Sequence, residues 1–300
     1  MIWDDYRLIL ALHREKSLRA AAKVIGVNHS TISRRLAALD PNLFEKTPAG
    51  YQVTTKGMAA LDAAKIMEQA ILEAERKARA GPDQISGVVT LSIPQAIGQF
   101  LLLDDFAAFG RAHPQIRLNI KTGYAFADLD RSEADIVIRA TQNPPEHLVG
   151  RRLFPYYIAH YCAPDYLIKT PPEERVWITP SAAEERPDWI DASAVPEARV
   201  SMAIDDATMR HRAALAGHGL IRGACYMDDP NPGLVRLPGS TPIPKQDIWV
   251  LTHPDLRETP RIKLVMRFLI VSILAKRDLI EGKQPNAANT SLDLDLYTAI

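Results

Sequence analysis

Apolar side chains in the first forty residues recur at helical spacing in three short stretches. Their stripes fall at positions 6, 9, 10 and 12, then at 18, 21, 22 and 25, and then at 32, 36 and 39, which predicts three amphipathic helices. Gly26 predicts a tight turn after the second helix, because glycine reaches left-handed conformations without strain. Asn28 is a good N-cap for the third helix, and Pro41 predicts that this helix ends at Asp40.

The third helix carries a polar set that cannot share its buried stripe. Short hydroxyl side chains let a helix approach a surface closely, and arginine can bridge two guanine acceptors or clamp a phosphate. The pattern favours a helix-turn-helix whose last helix enters the major groove of DNA. A small helical bundle with a solvated polar face is the alternative. The polar set is His29, Ser30, Thr31, Ser33 and Arg34.

A segment with a central turn follows, LFEKTPAGYQVTTKG at positions 43–57. Apolar and polar residues alternate after the turn at Pro48–Gly50, which predicts a two-stranded wing. Lys46 and Lys56 lie beside this wing. A wing next to a recognition helix commonly contacts the DNA backbone or the minor groove.

From Thr55 to Arg79 the chain has no proline, and its only glycine is Gly57, so a long helix is predicted. One set of apolar residues recurs at alternating steps of four and three, which is a heptad seam suited to close pairing of two helices. A lone amphipathic helix that lies on its own domain is the alternative. The seam consists of Ala60, Ala64, Met67, Ile71, Ala74 and Ala78.

Beyond a predicted hinge at 80–82, strand patterns alternate with helix patterns. VVTLSI at 88–93, IRLNI at 116–120 and ADIVI at 134–138 read as strands, and a helix through Phe106 and Phe109 separates the first two. Such alternation predicts a doubly wound α/β fold. Sheets of this kind bind ligands at the carboxyl ends of strands, beside helix N-termini.

Charge becomes informative only when it is divided along the chain. The 300 residues hold 36 basic and 36 acidic side chains, so the net charge indicates no partner. Residues 1–57 hold nine basic and five acidic side chains, a net charge of +4, and the remainder therefore sums to −4. This asymmetry predicts a polyanionic partner for the N-terminal module alone.

Other chemistries find little support. The start, MIWDDYRLIL, lacks the basic segment of a signal peptide, and the longest apolar run, 268–275, is too short to span a bilayer, so a cytoplasmic protein is expected. Cys162 and Cys225 are expected to be buried inert thiols, with a redox switch as the alternative. His211 and His218 lack companions for a zinc site. We therefore expect no metal, no cofactor and no enzymatic activity.

The stretch SLRAAAKVIGVNHSTISRRLAALD, followed by LFEKTPAGYQVTTKG, resembles the N-terminal domain of the LysR-type transcriptional regulators. The shared features are the triple-alanine second helix, the Thr-Ile-Ser-Arg recognition helix, and the Leu-Phe-x-Lys-Thr-Pro-x-Gly-Tyr wing. Only two residues separate Asp40 from Leu43, about four fewer than is usual in the family, which affects the placement of the wing. The resemblance implies that the long helix is a dimerising linker.

In such a DNA-binding domain, the third helix and the neighbouring cations have different predicted roles. Arg34 and the face at 29–33 are predicted to read base edges, because base contacts carry specificity. Phosphate neutralisation is assigned mainly to Arg19, Arg35, Lys46 and Lys56.

The rest of the chain resembles the family's effector domain, which is built like a periplasmic binding protein. Matching pieces include GVVTLS at 87–92, DIVIR at 135–139, YCAPDYL at 161–167, GHGL at 217–220 and THPDLRETPR at 252–261. The resemblance thus covers about residues 2–275 and implies a small-molecule effector in a cleft between two α/β subdomains.

The predicted protein is therefore an α/β multidomain chain. Its N-terminal winged helix-turn-helix occupies residues 1–57, and a linker helix occupies 58–80. Effector subdomain I is expected at 86–159 plus 256–275, and subdomain II at 160–254. A tail at 276–300 is expected to be flexible.

In the family the effector pocket uses the loops after the first two strands and the start of a helix in the second subdomain. Here Gln95, Thr122 and Tyr124 are suited to hydrogen-bond a polar ligand, whereas each position also fits a helix cap or a loop. Asp205 is predicted to be an N-cap and would disfavour an anion placed against it. Arg139 either reaches the cleft or pairs with a nearby acid. The full set is Pro94, Gln95, Thr122, Gly123, Tyr124, Met202, Ala203 and Asp205.

The sequence thus predicts a DNA-binding transcriptional regulator that responds to a small molecule. Its partners are double-stranded DNA, the effector, and further copies of itself as a dimer or a dimer of dimers, with RNA polymerase as a further candidate. Two alternatives remain, namely a DNA-binding regulator without an effector, and an enzyme that has kept a helix-turn-helix module.

Overall fold

The computed structural model describes residues 1–80, 85–123, 133–180 and 186–285, except for the side chains at 73 and 75–80. The chain forms two compact units, one of residues 1–79 and one that begins at Ala80. Within the described ranges, no helix combines the length and the apolarity that crossing a bilayer requires.

The three predicted N-terminal helices are confirmed as α1 (Trp3–Glu15), α2 (Leu18–Ile25) and α3 (His29–Ala38). Their apolar stripes meet in one core, in which Leu12 and Ile32 are almost completely buried. The hydrophobic effect on these stripes holds together helices that would be marginal alone at these lengths.

Gly26 has the predicted left-handed conformation and ends α2. Asn28 occupies the N-cap position of α3, but its side chain makes no capping hydrogen bond. The helix also ends earlier than predicted, at Ala38, because Leu39 takes an extended conformation and is buried in the core. Asp40 then accepts a hydrogen bond from the backbone N–H of Asn42 at 2.9 Å.

The predicted wing is confirmed as an antiparallel pair, β1 (Phe44–Thr47) and β2 (Gly50–Val53). It is fastened to the end of α1, where the N–H of Tyr51 donates to the carbonyl oxygen of Lys16 at 2.9 Å. A Cβ at Gly50 would lie 2.3 Å from that oxygen, so only glycine allows this approach. The short connection after α3 is therefore sufficient to place the wing.

The long helix α4 runs over Met58–Ala80. Its first turns pack on their own domain, because Leu61 and Ala64 are buried in the core of α1, α2 and α3 and Ala60 packs against it. Ala64 is only 1% exposed, so its assignment to the dimer seam is wrong. Farther along, three predicted seam residues are exposed, while the side chain of Ala78 lies outside the described residues. The exposed three are Met67, Ile71 and Ala74.

The second unit is built on one mixed sheet, whose strands within the described ranges we number in chain order. These strands are β3 (Gly87–Ile93), β4 (Ile116–Thr122), β5 (Ile136–Ala140), β6 (Val149–Cys162), β7 (Val176–Thr179), β8 (Arg199–Ala203), β9 (Leu220–Ala224), β10 (Val235–Arg236) and β11 (Ile243–Thr252). The order across the sheet is β4-β3-β5-β11-β6-β9-β7-β8, with β10 also paired to β6. All three strands predicted from the sequence are present.

Two long strands link the halves of this sheet. β11 lies antiparallel to both β5 and β6, whereas β3 is parallel to β4 and β5, and β7 is parallel to β8 and β9. The predicted boundary between residues 159 and 160 falls inside β6. The subdomain limits therefore stay a prediction, although the parallel-strand regions on either side of β6 and β11 have the expected α/β character.

Helices cover the sheet. The predicted helix through Phe106 and Phe109 is confirmed, and it begins with a π-helical turn over Gly98–Leu102. The helices of this unit are α5 (Gln95–Ile97), α6 (Leu103–Ala112), α7 (Pro164–Lys169), α8 (Ala207–Leu215), α9 (Cys225–Asp228), α10 (Pro260–Ala275) and α11 (Arg277–Ile280).

The last part of the chain returns to the first half of the sheet. Val265 and Leu269 of α10 are fully buried in one cluster with Leu91 and Ile93 of β3. Ile280 joins the same cluster. The expectation of a flexible tail from 276 is thus wrong for residues 276–282, because α11 and the two residues after it are anchored by burial. Residues 283–285 are exposed, and the remainder of that tail lies outside the described residues.

Candidate functional site

The polar set on α3 faces solvent. Ile32 is the only fully buried residue of this helix, since it alone points directly into the core of α1 and α2. His29, Ser30, Ser33 and Arg34 are exposed, and Thr31 is half-buried. The sequence-predicted residues therefore form one accessible helical face with the hydroxyls and a guanidinium together.

Two of the predicted phosphate-binding cations are already paired with acids. Arg35 Nη1 lies 3.0 Å from a carboxylate oxygen of Asp4, and Lys56 Nζ lies 2.8 Å from one of Asp40. Together with Asn42, Lys56 holds the pKa of Asp40 down at about 2. A cation beside a carboxylate presents a weaker field to DNA than an isolated one.

Arg19, Arg34 and Lys46 differ from these paired cations. All three side chains are exposed, and among the described residues none of them forms an ion pair. Their positive charge is therefore available to an approaching polyanion. Arg34 combines this availability with a place on the exposed face of α3.

The second unit contains a cavity of about 510 Å³, within the size range of small-molecule sites. Its wall draws on β5, β6, β9 and β11, on the start of the helix after Pro94, and on the start of α8. Of the eight positions predicted to bind an effector, Pro94 and Asp205 line this cavity.

The other predicted effector positions lie elsewhere. Tyr124 is outside the described residues, and five more are absent from the wall of this cavity, so their role toward an effector stays a prediction. Four of the five lie at or just beyond the ends of the edge strands β4 and β8, and the fifth is exposed between two residues of the wall. These five are Gln95, Thr122, Gly123, Met202 and Ala203.

Asp205 is also not the N-cap of α8. That position belongs to Asp206, whose carboxylate accepts a hydrogen bond from the N–H of Met209 at 2.7 Å. Asp205 instead lies on the cavity wall with an exposed side chain, and its carbonyl oxygen accepts from Nη1 of Arg210 at 3.0 Å.

Four cations line the cavity, and each comes from a different element. Arg139 lies on β5, Arg210 on α8, Arg222 on β9 and Lys245 on β11. Asp205 is the one acid among the described lining residues. Their charges meet only because the sheet brings distant segments together, and no spacing in the sequence indicates the group.

Two of these arginines are withdrawn from water. Arg139 is 3% exposed and donates to the carbonyl oxygen of Ile138 at 2.7 Å and to Oγ of Ser92 at 2.8 Å. Burial lowers its pKa to about 10. Arg222 is half-buried, and burial also lowers its pKa. Both remain protonated near neutral pH, so the cavity carries fixed positive charge.

The guanidinium of Arg222 packs over an aromatic ring. Its guanidinium lies 5.0 Å from the ring centre of Trp189, in a cation–π arrangement. His160 stacks on the same indole at 5.4 Å, and Trp177 meets both rings edge-on. Burial, followed by the charge of Arg222, lowers the pKa of His160 to about 4, so His160 is neutral near pH 7.

The two cysteines and His211 are buried. Cys162 and Cys225 are free thiols, which confirms their predicted burial, and burial raises the pKa of each to about 12, as expected for unreactive thiols. His211 Nδ1 lies 2.6 Å from Oδ1 of the buried Asp228, and His218 is exposed. Among the described residues, no three His, Cys, Asp or Glu side chains are grouped as metal ligands.

Comparison with known proteins gives consistent matches along the chain. A family model described as LysR substrate binding domain matches residues 82–271. A second, described as bacterial regulatory helix-turn-helix protein, lysR family, matches residues 3–58. The Mau operon transcriptional activator of Paracoccus denitrificans is 29% identical over 286 residues, which cover 88% of this chain and 94% of that protein.

Solved structures agree in fold. CrgA, a LysR-type transcriptional regulator from Neisseria meningitidis, aligns with a TM-score of 0.55 and 20% identity, over 90% of this chain and 98% of that chain. The full-length virulence activator AphB of Vibrio cholerae aligns with a TM-score of 0.54 and 19% identity, over 90% and 99%. At these identities the likeness concerns the fold alone.

Proposed function

This chain belongs to the LysR family of DNA-binding transcriptional regulators, and we propose that it reads DNA with the exposed face of α3 and responds to a small molecule held in the cavity of its second unit. Family membership carries the regulatory function and the presence of a substrate-binding domain. The residues that contact DNA and the cavity as the effector site are the parts that we propose.

A single observation carries the DNA-reading proposal. With Ile32 facing the core, α3 leaves Ser30, Ser33 and Arg34 exposed together. Hydroxyls next to a guanidinium can enter a major groove and bond to base edges. Arg19 and Lys46 supply phosphate neutralisation, and Arg35 and Lys56 contribute less because Asp4 and Asp40 already compensate them.

The proposed working form is an oligomer of this chain. Met67, Ile71 and Ala74 are exposed on the part of α4 beyond the winged-helix core, and heptad-spaced side chains favour pairing of two such helices. Two copies reading a two-fold symmetric site would bind more tightly than one. Because its DNA partner lies in the bacterial cytoplasm, we place the protein there, with RNA polymerase as a further candidate partner.

The proposed effector acts through conformational preference. A ligand shifts an equilibrium only as far as it binds one arrangement more tightly than another. The cavity wall draws on both halves of the sheet, through β5 on one side of β11 and β6 and through β9 on the other, so a ligand there contacts both parallel-strand regions. We propose no catalytic step, because the described part of the cavity wall supplies cations and aromatic rings but no nucleophile paired with a base.

The test begins with genomic fragments retained by the immobilised full-length protein, followed by gel-shift titration of one retained fragment and of a scrambled control. We expect the retained fragment to bind at least a hundredfold more tightly than the control, and Arg34→Ala to shrink that ratio. Equal affinity for both duplexes would overturn the proposal. Turnover of any ligand that binds the cavity would instead support an enzyme with a helix-turn-helix.

A further inference from the structure

The cavity of the second unit carries a charge imbalance that specifies its ligand. Among the described residues, Arg139, Arg210, Arg222 and Lys245 line it together with one acid, Asp205. Positive charges that line one cavity repel one another, most strongly where water is excluded. A bound anion would lower this repulsion.

Arg222 is half-buried on this wall. Within the described part of the chain it forms no ion pair, and its buried Nε donates to no acceptor. It rests instead on the face of Trp189, while its neighbour His160 is neutral and offers no negative charge. A desolvated guanidinium without a carboxylate raises the free energy of the folded protein, and a bound anion would recover that cost.

The single acid does not neutralise this group. The side chain of Asp205 is exposed, whereas Arg222 is half-buried on the central strand β9. Solvent therefore screens Asp205 more strongly than it screens the arginine. The presence of an aspartate on the wall is thus compatible with a negative ligand deeper in the cavity.

The rest of the wall is apolar. Ile97, Ile221 and Met227 line the same space and are buried. A volume of about 510 Å³ exceeds that of a simple inorganic ion by a wide margin, since one water occupies only about 30 Å³ of liquid. The occupant should therefore carry a carbon skeleton as well as an anionic group.

We propose that the effector is a small organic anion, a carboxylate or a phosphate ester, whose anionic group is held by Arg222 with Arg139 and Arg210 close by, and whose apolar part lies against Ile221 and Met227. This inference rests on the proposed effector function of the cavity. The expectation from sequence that Asp205 would disfavour an anion placed directly against it still holds, because the anionic group is assigned to Arg222.

The experiment uses the purified full-length protein at constant ionic strength. Thermal unfolding is followed with benzoate, succinate, phenyl phosphate and glycerol 3-phosphate, and with their uncharged counterparts benzamide, succinamide, phenol and glycerol. Because a ligand that binds only the folded state raises its stability, we expect at least one anion to raise the melting temperature at millimolar concentration. Its uncharged counterpart should have no effect. The carboxylate and phosphate arms identify the anionic group.

Calorimetric titration of the stabilising anion then tests the residue. We expect Arg222→Gln to weaken its Kd at least tenfold and Arg222→Lys to weaken it less, because the charge remains but the forked donor is lost. The matched control is Arg117→Gln, an exposed arginine on β4 outside the cavity, which should leave the Kd unchanged. If Arg222→Gln does not fold, Lys245→Gln, at an exposed lining residue, should weaken binding twofold to fivefold.

Several results would overturn the inference. These are stabilisation by no organic anion in the panel, equal stabilisation by the uncharged counterparts, binding of inorganic sulfate alone, or an unchanged Kd in Arg222→Gln. Gel shifts on the same preparations separate this failure from failure of the regulator itself. If the protein binds specific DNA but no anion, only the proposal of an organic anion as the ligand is refuted. If it binds no specific DNA, the proposed DNA-reading function is refuted.

Discussion

The recognition helix and the cavity both depend on arginine, but they hold it in opposite surroundings. Arg34 on α3 is exposed and stands among short hydroxyls. Arg222 on β9 is half-buried, lies 5.0 Å from the ring centre of Trp189, and has its pKa lowered by burial. The side chain of Arg34 is thus largely solvated, whereas that of Arg222 packs against an indole at the wall of a cavity.

This difference matches the size of the two partners. A duplex is long and must slide into place, so its contacts have to stand on a surface, where salt screens them and sequence is read by direct approach. A small molecule can be enclosed, so its contacts gain strength from exclusion of water. Under the proposed function, the first unit therefore places its contacts outside its core, whereas the second unit places them at the edge of its core.

The largest effect should come from the scaffold of the enclosed site. Trp177 is fully buried, donates from Nε1 to the carbonyl oxygen of Val195 at 3.1 Å, and packs edge-on against Trp189. We expect Trp177→Ala to destabilise the second unit by about 3–5 kcal/mol, as truncation of a buried aromatic does, and to abolish ligand binding in the cavity. Calorimetric unfolding measures the stability.

The matched control is Trp3→Ala at the start of α1, where the indole is 38% exposed. Its cost should stay below about 1 kcal/mol. Equal destabilisation by the two substitutions would show that the buried Trp177 contributes no more to stability than the exposed Trp3 does.

On the exposed face of α3, Arg34→Ala should weaken specific binding to DNA without changing the stability of the fold. Loss of a bidentate base contact costs about 1–3 kcal/mol of specific affinity, while an exposed side chain contributes little to folding. Gel shifts give the affinity and calorimetry gives the melting temperature. A drop in melting temperature with no loss of specificity would mean that Arg34 is a structural residue.

Acid should destabilise the enclosed site. Burial and the charge of Arg222 lower the pKa of His160 from 6.5 to about 4, so the unfolded chain binds a proton at a higher pH than the folded chain does. The stability contributed by neutral His160 is therefore complete above pH 6.5 and is lost as the pH falls from there towards 4.

Replacement by His160→Gln should reduce the loss of unfolding free energy between pH 7 and pH 4.5 by on the order of 1–2 kcal/mol. Urea unfolding at both pH values measures it. His218→Gln, at an exposed histidine in the same unit, should leave the pH dependence as it is. An identical pH dependence in wild type and His160→Gln would show that this ring does not titrate in the way its burial requires.

The smallest effect concerns salt. Lys46 is exposed and forms no ion pair among the described residues, whereas Lys56 is held by Asp40 at 2.8 Å. Lys46→Ala should therefore lower the slope of log affinity for DNA against log salt by about 1, the contribution of one phosphate contact. Lys56→Ala should lower it by less. A larger change for Lys56 would mean that DNA displaces Asp40 from its lysine.

Local signals predicted the first unit well. The stripe spacing, Gly26 and the alternation around Pro48–Gly50 each concern neighbours in sequence, and α1, α2, α3 and the wing follow from them. The error at Ala64 came from tertiary packing. Ala64 fits a heptad seam by spacing, but spacing does not reveal that its own domain reaches far enough along α4 to bury it.

The wall of the cavity was predicted far less completely. Pro94 and Asp205, which line it, came from the loops of the family pattern, as did the other predicted effector positions. Arg210, Arg222 and Lys245 lie on three elements that are well separated along the chain, and no period or motif joins them. Their convergence depends on strand order, which places β11, β6 and β9 side by side.

The sequence by itself determined the helix-turn-helix, the family and the alternation of strands and helices, because these depend on residues close together in the chain and on the periods of regular structure. Only the tertiary structure decided which charges meet and which are removed from water. Side-chain periodicity determines the face on which a residue lies, but the electrostatic environment of that face depends on what the fold packs against it.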